Sequence, residues 1–259
     1  MKKFIRFALS QDAEPTTVHG LYGLLEGDQV IETGQLFGTQ CAEEHRRSAV
    51  RLLPPVLPSK IICVGRNYVD HAKELGNDVP TEPLIFLKPQ SSLITNGDSI
   101  VYPPQSSRVD FEGEIGLVIS KRGRNIKPED AWEHVFGYTC VNDITARDLQ
   151  KKDGQWTRGK GFDTFCSVGP WMVSKEDFDL TKTTLRTKLN GELKQEGTAS
   201  QMIFDVGAIL AFVSSFLTLE PGDLIATGTP AGVGPMQPGD QVTVEVEGLG
   251  SLTNTVIKG

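Results

Sequence analysis

No apolar run in the sequence approaches the roughly 20 residues that span a bilayer, so no membrane partner is expected. There is no excess of positive charge either, because 26 Lys and Arg stand against 33 Asp and Glu, for a net charge of -7. Nucleic-acid surfaces collect Lys and Arg to neutralise phosphates, so none is expected here. The short basic stretches Lys121-Arg122-Gly123-Arg124 and Lys151-Lys152 read as solvated turns. A Cys-x-x-Cys pair is also missing: Cys41, Cys63, Cys140 and Cys166 lie far apart, which fits reduced, mostly buried thiols better than zinc ligands or disulfides. The basic start Met1-Lys2-Lys3-Phe4-Ile5-Arg6 soon reaches Gln11-Asp12-Ala13-Glu14 without the apolar core of a signal peptide, and the expected location is the cytoplasm.

The 259 residues are 38% hydrophobic and 23% charged, values of a soluble globular protein with one large domain and a small appendage. Residues 1–52 read as a small amino-terminal β module of short strands and glycine-marked turns. Pro54, Pro55 and Pro58 then make a stiff connector, and a main domain is expected over 59–259. Strands dominate it, among them Lys60 to Val64, Leu84 to Lys88, Phe111 to Ser120, Gly137 to Val141 and Gly169 to Val173. Asn190-Gly191 suits a tight hairpin turn after Leu185 to Leu189. One clear helix follows a plausible N-cap at Asp205, with Val206, Ile209, Leu210, Val213, Phe216 and Leu217 as its apolar stripe. Regular alternation of strand and helix is absent, and the fold class is mostly β with some α.

The chemistry gathers around Phe111-Glu112-Gly113-Glu114-Ile115. In an extended strand Glu112 and Glu114 share a face while Ile115, Leu117 and Ile119 point into a core. Two adjacent carboxylates repel unless one takes a proton or a hard divalent ion bridges them, and Asp143 on another apolar run is placed to complete such a site. A solvated strand face would show the same pair. His71 and Glu74, three apart on a predicted helical turn, form a dyad in which the carboxylate orients an imidazole, the equipment for activating water near a metal.

Gly65-Arg66-Asn67-Tyr68 with His71 and Glu74, Glu112-x-Glu114, Asp143-Ile144-Thr145-Ala146-Arg147-Asp148, Gly159-Lys160-Gly161-Phe162-Asp163 and Thr227-Gly228-Thr229-Pro230 occur in an order that resembles the fumarylacetoacetate hydrolase family. The likeness covers about residues 59 to 259. It implies a mixed β-roll catalytic domain, a homodimer, and Mg²⁺ or Mn²⁺ held by Glu112, Glu114 and Asp143. Lys160 then supplies positive charge beside the metal, where three carboxylates and a divalent ion leave the site slightly anionic. Arg147, Gln150 and Thr229 match positions used around the substrate, although Arg147 also suits an ion-pair partner and Thr229 a turn. The stretch carrying His71 resembles the family's lid, with Leu75-Gly76-Asn77-Asp78 as a hinge. The amino-terminal module is shorter than in fumarylacetoacetate-cleaving enzymes, which points to smaller oxo acids. The resemblance implies carbon-carbon bond hydrolysis of an acylpyruvate or related 2,4-dioxo acid, with oxaloacetate tautomerisation or decarboxylation, or isomerisation of an unsaturated hydroxy diacid, as alternatives. A non-catalytic oxo-acid or metal-binding module is the rival from another class.

Overall fold

A computed structural model describes residues 1–9, 20–39 and 42–259, so Cys41 and the Gln11–Glu14 stretch lie outside the described residues. The architecture is mostly β with a few short helices. A large mixed sheet runs in the order Glu44–Arg46, Gln29–Glu32, Leu21–Glu26, Lys3–Leu9, Cys166–Ser174, Val135–Asp143, Gly113–Ile119, Leu224–Ala226, Ile61–Gly65 and Leu84–Lys88. The strand Lys3–Leu9 pairs antiparallel with Cys166–Ser174, so the amino-terminal strands continue the sheet of the following segment. The proline-rich connector is packed as well, with Val56 fully buried in a core it shares with Ile61, Val118 and Val168.

A second sheet orders Glu192–Thr198, Thr184–Leu189, Gln241–Val246, Gly250–Lys258 and Ser99–Tyr102. Its hairpin turns at Asn190 and Gly191, whose φ values of 53° and 83° are the positive angles such a turn demands. Helix Val206–Phe216 starts where the Asp205 carboxylate accepts from the Ala208 N–H at 2.8 Å, satisfying an otherwise orphaned donor. Val206, Ile209, Leu210 and Val213 pack with Ile115, Leu117 and Ile119 of the large sheet and Val244 and Val246 of the second. Phe216 departs from the predicted stripe: it is 48% exposed and stacks edge-on with Phe212 on the outside.

The expected strand from Phe111 to Ser120 is interrupted at its most important residue. Val109–Phe111 belongs to a small sheet with Thr145–Ala146 and Gly234–Met236, whereas Gly113–Ile119 belongs to the large one. Glu112 is the junction, where the Asn142 side chain accepts from its N–H at 3.0 Å in place of a ladder partner. Alternation holds from there on, with Ile115, Leu117 and Ile119 in one core and Val118 in the other. Both faces are covered, so every residue of Gly113–Ile119 is buried. Lys151 and Lys152 also differ from expectation, closing helix Arg147–Asp153, where cations suit the C-terminal dipole, rather than forming a turn.

Candidate active site

Antiparallel pairing places the start of Gly113–Ile119 beside the end of Val135–Asp143, with Gly113 opposite Asn142 and the Asp143 N–H donating to the Glu112 carbonyl at 2.8 Å. That register gathers Glu112, Glu114 and Asp143, whose carboxylate oxygens lie within 4.8 Å of one another. All three are buried, which removes the solvated-face alternative.

Cations surround the cluster unevenly. The Lys160 ammonium donates to Glu112 Oε2 at 2.7 Å and to Asp143 Oδ2 at 2.6 Å. Arg147 donates to Asp110 at 2.9 Å, to Gln150 Oε1 at 2.7 Å and to Glu112 Oε1 at 2.5 Å. Burial works against charge on Glu112, but Lys160 and Arg147 outweigh it and hold its carboxyl well below the usual range. Burial likewise opposes charge on Lys160, and Asp143 and Glu112 reverse that to keep it protonated. Among the described residues no cation forms an ion pair with Glu114, and the Gly228 N–H donates to its Oε2 at 2.7 Å. Burial, then the charges of Asp143 and Glu112, push its carboxyl well above the ordinary value.

A carboxylate left short of positive charge beside two others fits a hard divalent cation. Glu112, Glu114 and Asp143 supply only oxygen donors, as Mg²⁺ and Mn²⁺ prefer, and each carboxylate has enough lone pairs to serve both an ion and a lysine.

His71 sits buried on helix Val69–Glu74, its Nδ1 3.4 Å from Glu74 Oε2, while the Glu74 carboxylate accepts from the Gly232 N–H at 3.1 and 3.2 Å. Burial lowers the pKa of His71 and the nearby Glu112 only partly opposes this, which favours the neutral ring. His71, Glu74, Lys160, Arg147, Gln150 and Thr229 all line one cavity of about 470 Å³ together with the three carboxylates. Thr229 is tied down within it: its hydroxyl donates to the Gly113 carbonyl at 2.8 Å and accepts from Gln195 Nε2 at 2.7 Å. The Gln150 side-chain oxygen is taken by Arg147, and the residue lines the cavity.

Lys88 is the residue that sequence reasoning missed. Fully buried at the end of strand Leu84–Lys88, it donates to Asp143 Oδ1 at 2.5 Å and to the Ile144 carbonyl at 3.2 Å. A lysine closing an apolar run just before Pro89 was the available signal. Lys88 adds a second buried ammonium beside Lys160, so that with a divalent ion bound the two lysines would more than offset the slightly anionic balance of the three carboxylates and the ion, to the benefit of an anionic ligand. Asp110 was missed too; it holds Arg147 and Arg108 together. Among the described residues Cys63, Cys140 and Cys166 are buried thiols, and burial raises Cys140 and Cys166 to about 12, which disfavours the nucleophilic thiolate.

Close approach requires glycine at several positions, two of which bear directly on the site. Gly228 has φ 102°, and a Cβ there would stand 2.7 Å from that of Asn67. A Cβ on Gly159 would come within 2.8 Å of the Gln150 backbone, so its absence lets the two short helices bearing Gln150 and Lys160 pack together. Gly228→Ala is expected to cost about 1–3 kcal/mol of stability and to weaken divalent-ion binding by displacing the donor to Glu114. Thermal denaturation with and without Mg²⁺ measures both, and an unchanged melting temperature with unchanged ion response would contradict it.

The fumarylacetoacetate (FAA) hydrolase C-terminal family pattern matches residues 60–257. Human oxaloacetate tautomerase FAHD2A, mitochondrial, is 46% identical over 222 residues, covering 82% of this chain and 71% of that protein. The crystal structure of 2-hydroxyhepta-2,4-diene-1,7-dioate isomerase from Mycobacterium marinum superposes with a TM-score of 0.88 at 40% identity, covering 100% of this chain and 99% of that one. Fumarylpyruvate hydrolase from Pseudomonas aeruginosa, in complex with Mn²⁺ and pyruvate, gives a TM-score of 0.74 at 33% identity over 81% of this chain and 92% of that one. No helix among the described residues is long and apolar enough to cross a membrane.

Proposed function

The chain belongs to the fumarylacetoacetate hydrolase family, and on that premise we propose that it is a Mg²⁺- or Mn²⁺-dependent hydrolase cleaving a carbon-carbon bond in an acylpyruvate or related 2,4-dioxo acid. The observation that carries this reading is a buried His71, backed by Glu74, on the wall of the cavity that holds the three carboxylates. Glu112, Glu114 and Asp143 would hold the ion, which when bound supplies Lewis-acid charge to the 2-oxo acid end of the substrate.

With Nδ1 turned to Glu74, His71 keeps Nε2 as the acceptor. There it takes a proton from water, and the hydroxide so formed attacks the distal carbonyl. The carbon-carbon bond breaks with its electron pair moving onto the departing pyruvate enolate, whose carbon then recovers the proton from His71. Lys160, protonated and buried, places fixed positive charge where that enolate develops. The cavity is larger than a 2-oxo acid head alone requires, leaving room for the acyl arm and a water molecule. A homodimer in the cytoplasm remains the expected state.

Oxaloacetate tautomerisation is the second reading, favoured by the 46% identity to the human oxaloacetate tautomerase. It uses the same residues, with His71 moving a proton between carbon and oxygen and no water attacking. Turnover of acylpyruvates and of oxaloacetate with Mg²⁺ separates the two.

Lys160→Met should lower kcat by about 10² or more with either substrate, because a charge aimed at the enolate acts mainly in the transition state. Steady-state kinetics are the check, and a rise confined to KM would make Lys160 a substrate anchor instead.

A further inference from the structure

We propose that Arg66 is the specificity residue for a second carboxylate at the far end of the substrate, so that the preferred ligands are dicarboxylates with a 2-oxo acid head. This rests on the reading above for the head and extends it to the tail.

The cavity's other cations are mostly spoken for. Lys160 and Arg147 are bound to the buried carboxylates, and Arg108 donates to Asp110 at 2.8 and 3.1 Å. Arg66 has no carboxylate partner among the described residues. Its guanidinium instead lies 5.8 Å from the centroid of the Trp156 ring. That ring is a fixed platform: it stands edge-on to Phe86 at 5.2 Å, and a Cβ on Gly65 would come within 2.7 Å of it.

The Arg66 backbone is in the left-handed region at φ 56°, an uncommon state for a long side chain, directly after the strand Ile61–Gly65. Its side chain borders the carboxylate cavity and two adjoining ones, so it stands on the wall where a substrate tail leaves the head site. A planar fork of five N–H donors, half-buried, held on an aromatic face and lacking an anion, is matched by a ligand carboxylate. Lys151 is the other lining cation without an ion pair among the described residues, but it is exposed on helix Arg147–Asp153 and its flexible stem gives no fixed geometry.

Matched ligands isolate the tail: 2-oxoglutarate against 2-oxopentanoate, 2-oxoadipate against 2-oxohexanoate, and 2-oxopimelate against 2-oxoheptanoate, with pyruvate as a probe of the head alone. Calorimetric affinities are measured with saturating Mg²⁺ on wild type, Arg66→Asn, Arg66→Lys and Lys151→Met. Asn tolerates the left-handed backbone, so Arg66→Asn removes the cation with little new strain. In at least one pair the diacid should bind wild type about tenfold or more tighter than its monoacid partner. That preference should collapse in Arg66→Asn, persist in part in Arg66→Lys and remain whole in Lys151→Met, while pyruvate binds all four proteins alike.

Monoacids and diacids binding wild type equally, a preference that survives Arg66→Asn, or pyruvate affinity falling in that variant would each overturn the assignment. Failure of every 2-oxo acid, pyruvate included, to bind wild type is a different pattern; it would overturn the reading of the head and this proposal with it.

Discussion

Glu114→Gln is expected to abolish metal-dependent turnover, by about 10³ or more, while leaving the protein folded and at neutral pH no less stable than the metal-free wild type. The side chain is the same size, and its amide oxygen can still accept from the Gly228 N–H. What disappears is a carboxyl whose charged form is disfavoured first by burial and then by the charges of Asp143 and Glu112. A carboxyl whose folded pKa is raised contributes stability that is complete below its ordinary value of 4.5 and is lost as pH rises through the folded value. Through this group metal-free wild type loses stability on going from acid toward neutral pH, a loss the amide variant does not have. Divalent ions reverse the order. At a concentration of about 100 times Kd, Mg²⁺ should stabilise wild type by about 2.7 kcal/mol and the variant hardly at all. Thermal melts at pH 5 and pH 8, with and without Mg²⁺, test both halves. An equal rise in melting temperature on adding Mg²⁺ to both proteins would remove Glu114 from the ion site.

What was legible in the sequence had short-range causes. A Glu-x-Glu pair inside an apolar run announces buried carboxylates whatever the tertiary fold, and Asp205 with its apolar stripe announces a capped helix packed on a sheet. The break at Glu112 was illegible because it depends on pairing: Phe111 and Gly113 join different sheets, and only the Asn142 side chain marks the gap. Lys88 shows the same limit, since the carboxylate that justifies burying it lies 55 residues away. Gln195 was hidden by its setting, a strand that is otherwise largely exposed, yet its side chain accepts from the Gly113 N–H and donates to Thr229. The Gln195 amide holds Gly113 between the two glutamates and the Gly228 N–H holds Glu114, and neither residue type carries a signal of that role in isolation. The pairing of Lys3–Leu9 with Cys166–Ser174 is another long-range choice, made by register rather than by local composition.

His71→Asn should separate the reactions this site is equipped for, because they share its positive charge but differ in their need for a base. Asparagine is polar and of modest size but cannot accept a proton at neutral pH, so acylpyruvate cleavage should fall by about 10² to 10⁴. Oxaloacetate decarboxylation needs only an electron sink and should largely survive, since Lys160 and the three carboxylates are untouched. Tautomerisation moves a proton between carbon and oxygen and should be lost with cleavage if His71 is the shuttle. The pH profile gives an independent readout. Burial lowers the His71 pKa from 6.5, and the positive charge of a bound ion lowers it further, so wild-type kcat/KM should rise with pH along an acid limb below 6.5 and be level by neutrality. In the variant that limb should vanish from the residual activity. Assaying all three reactions on both proteins from pH 5 to pH 8 decides the matter. Equal cleavage by the two proteins, or an acid limb unchanged in His71→Asn, would rule the histidine out as the base, and a wild type that only tautomerises oxaloacetate would put the second reading in place of the first.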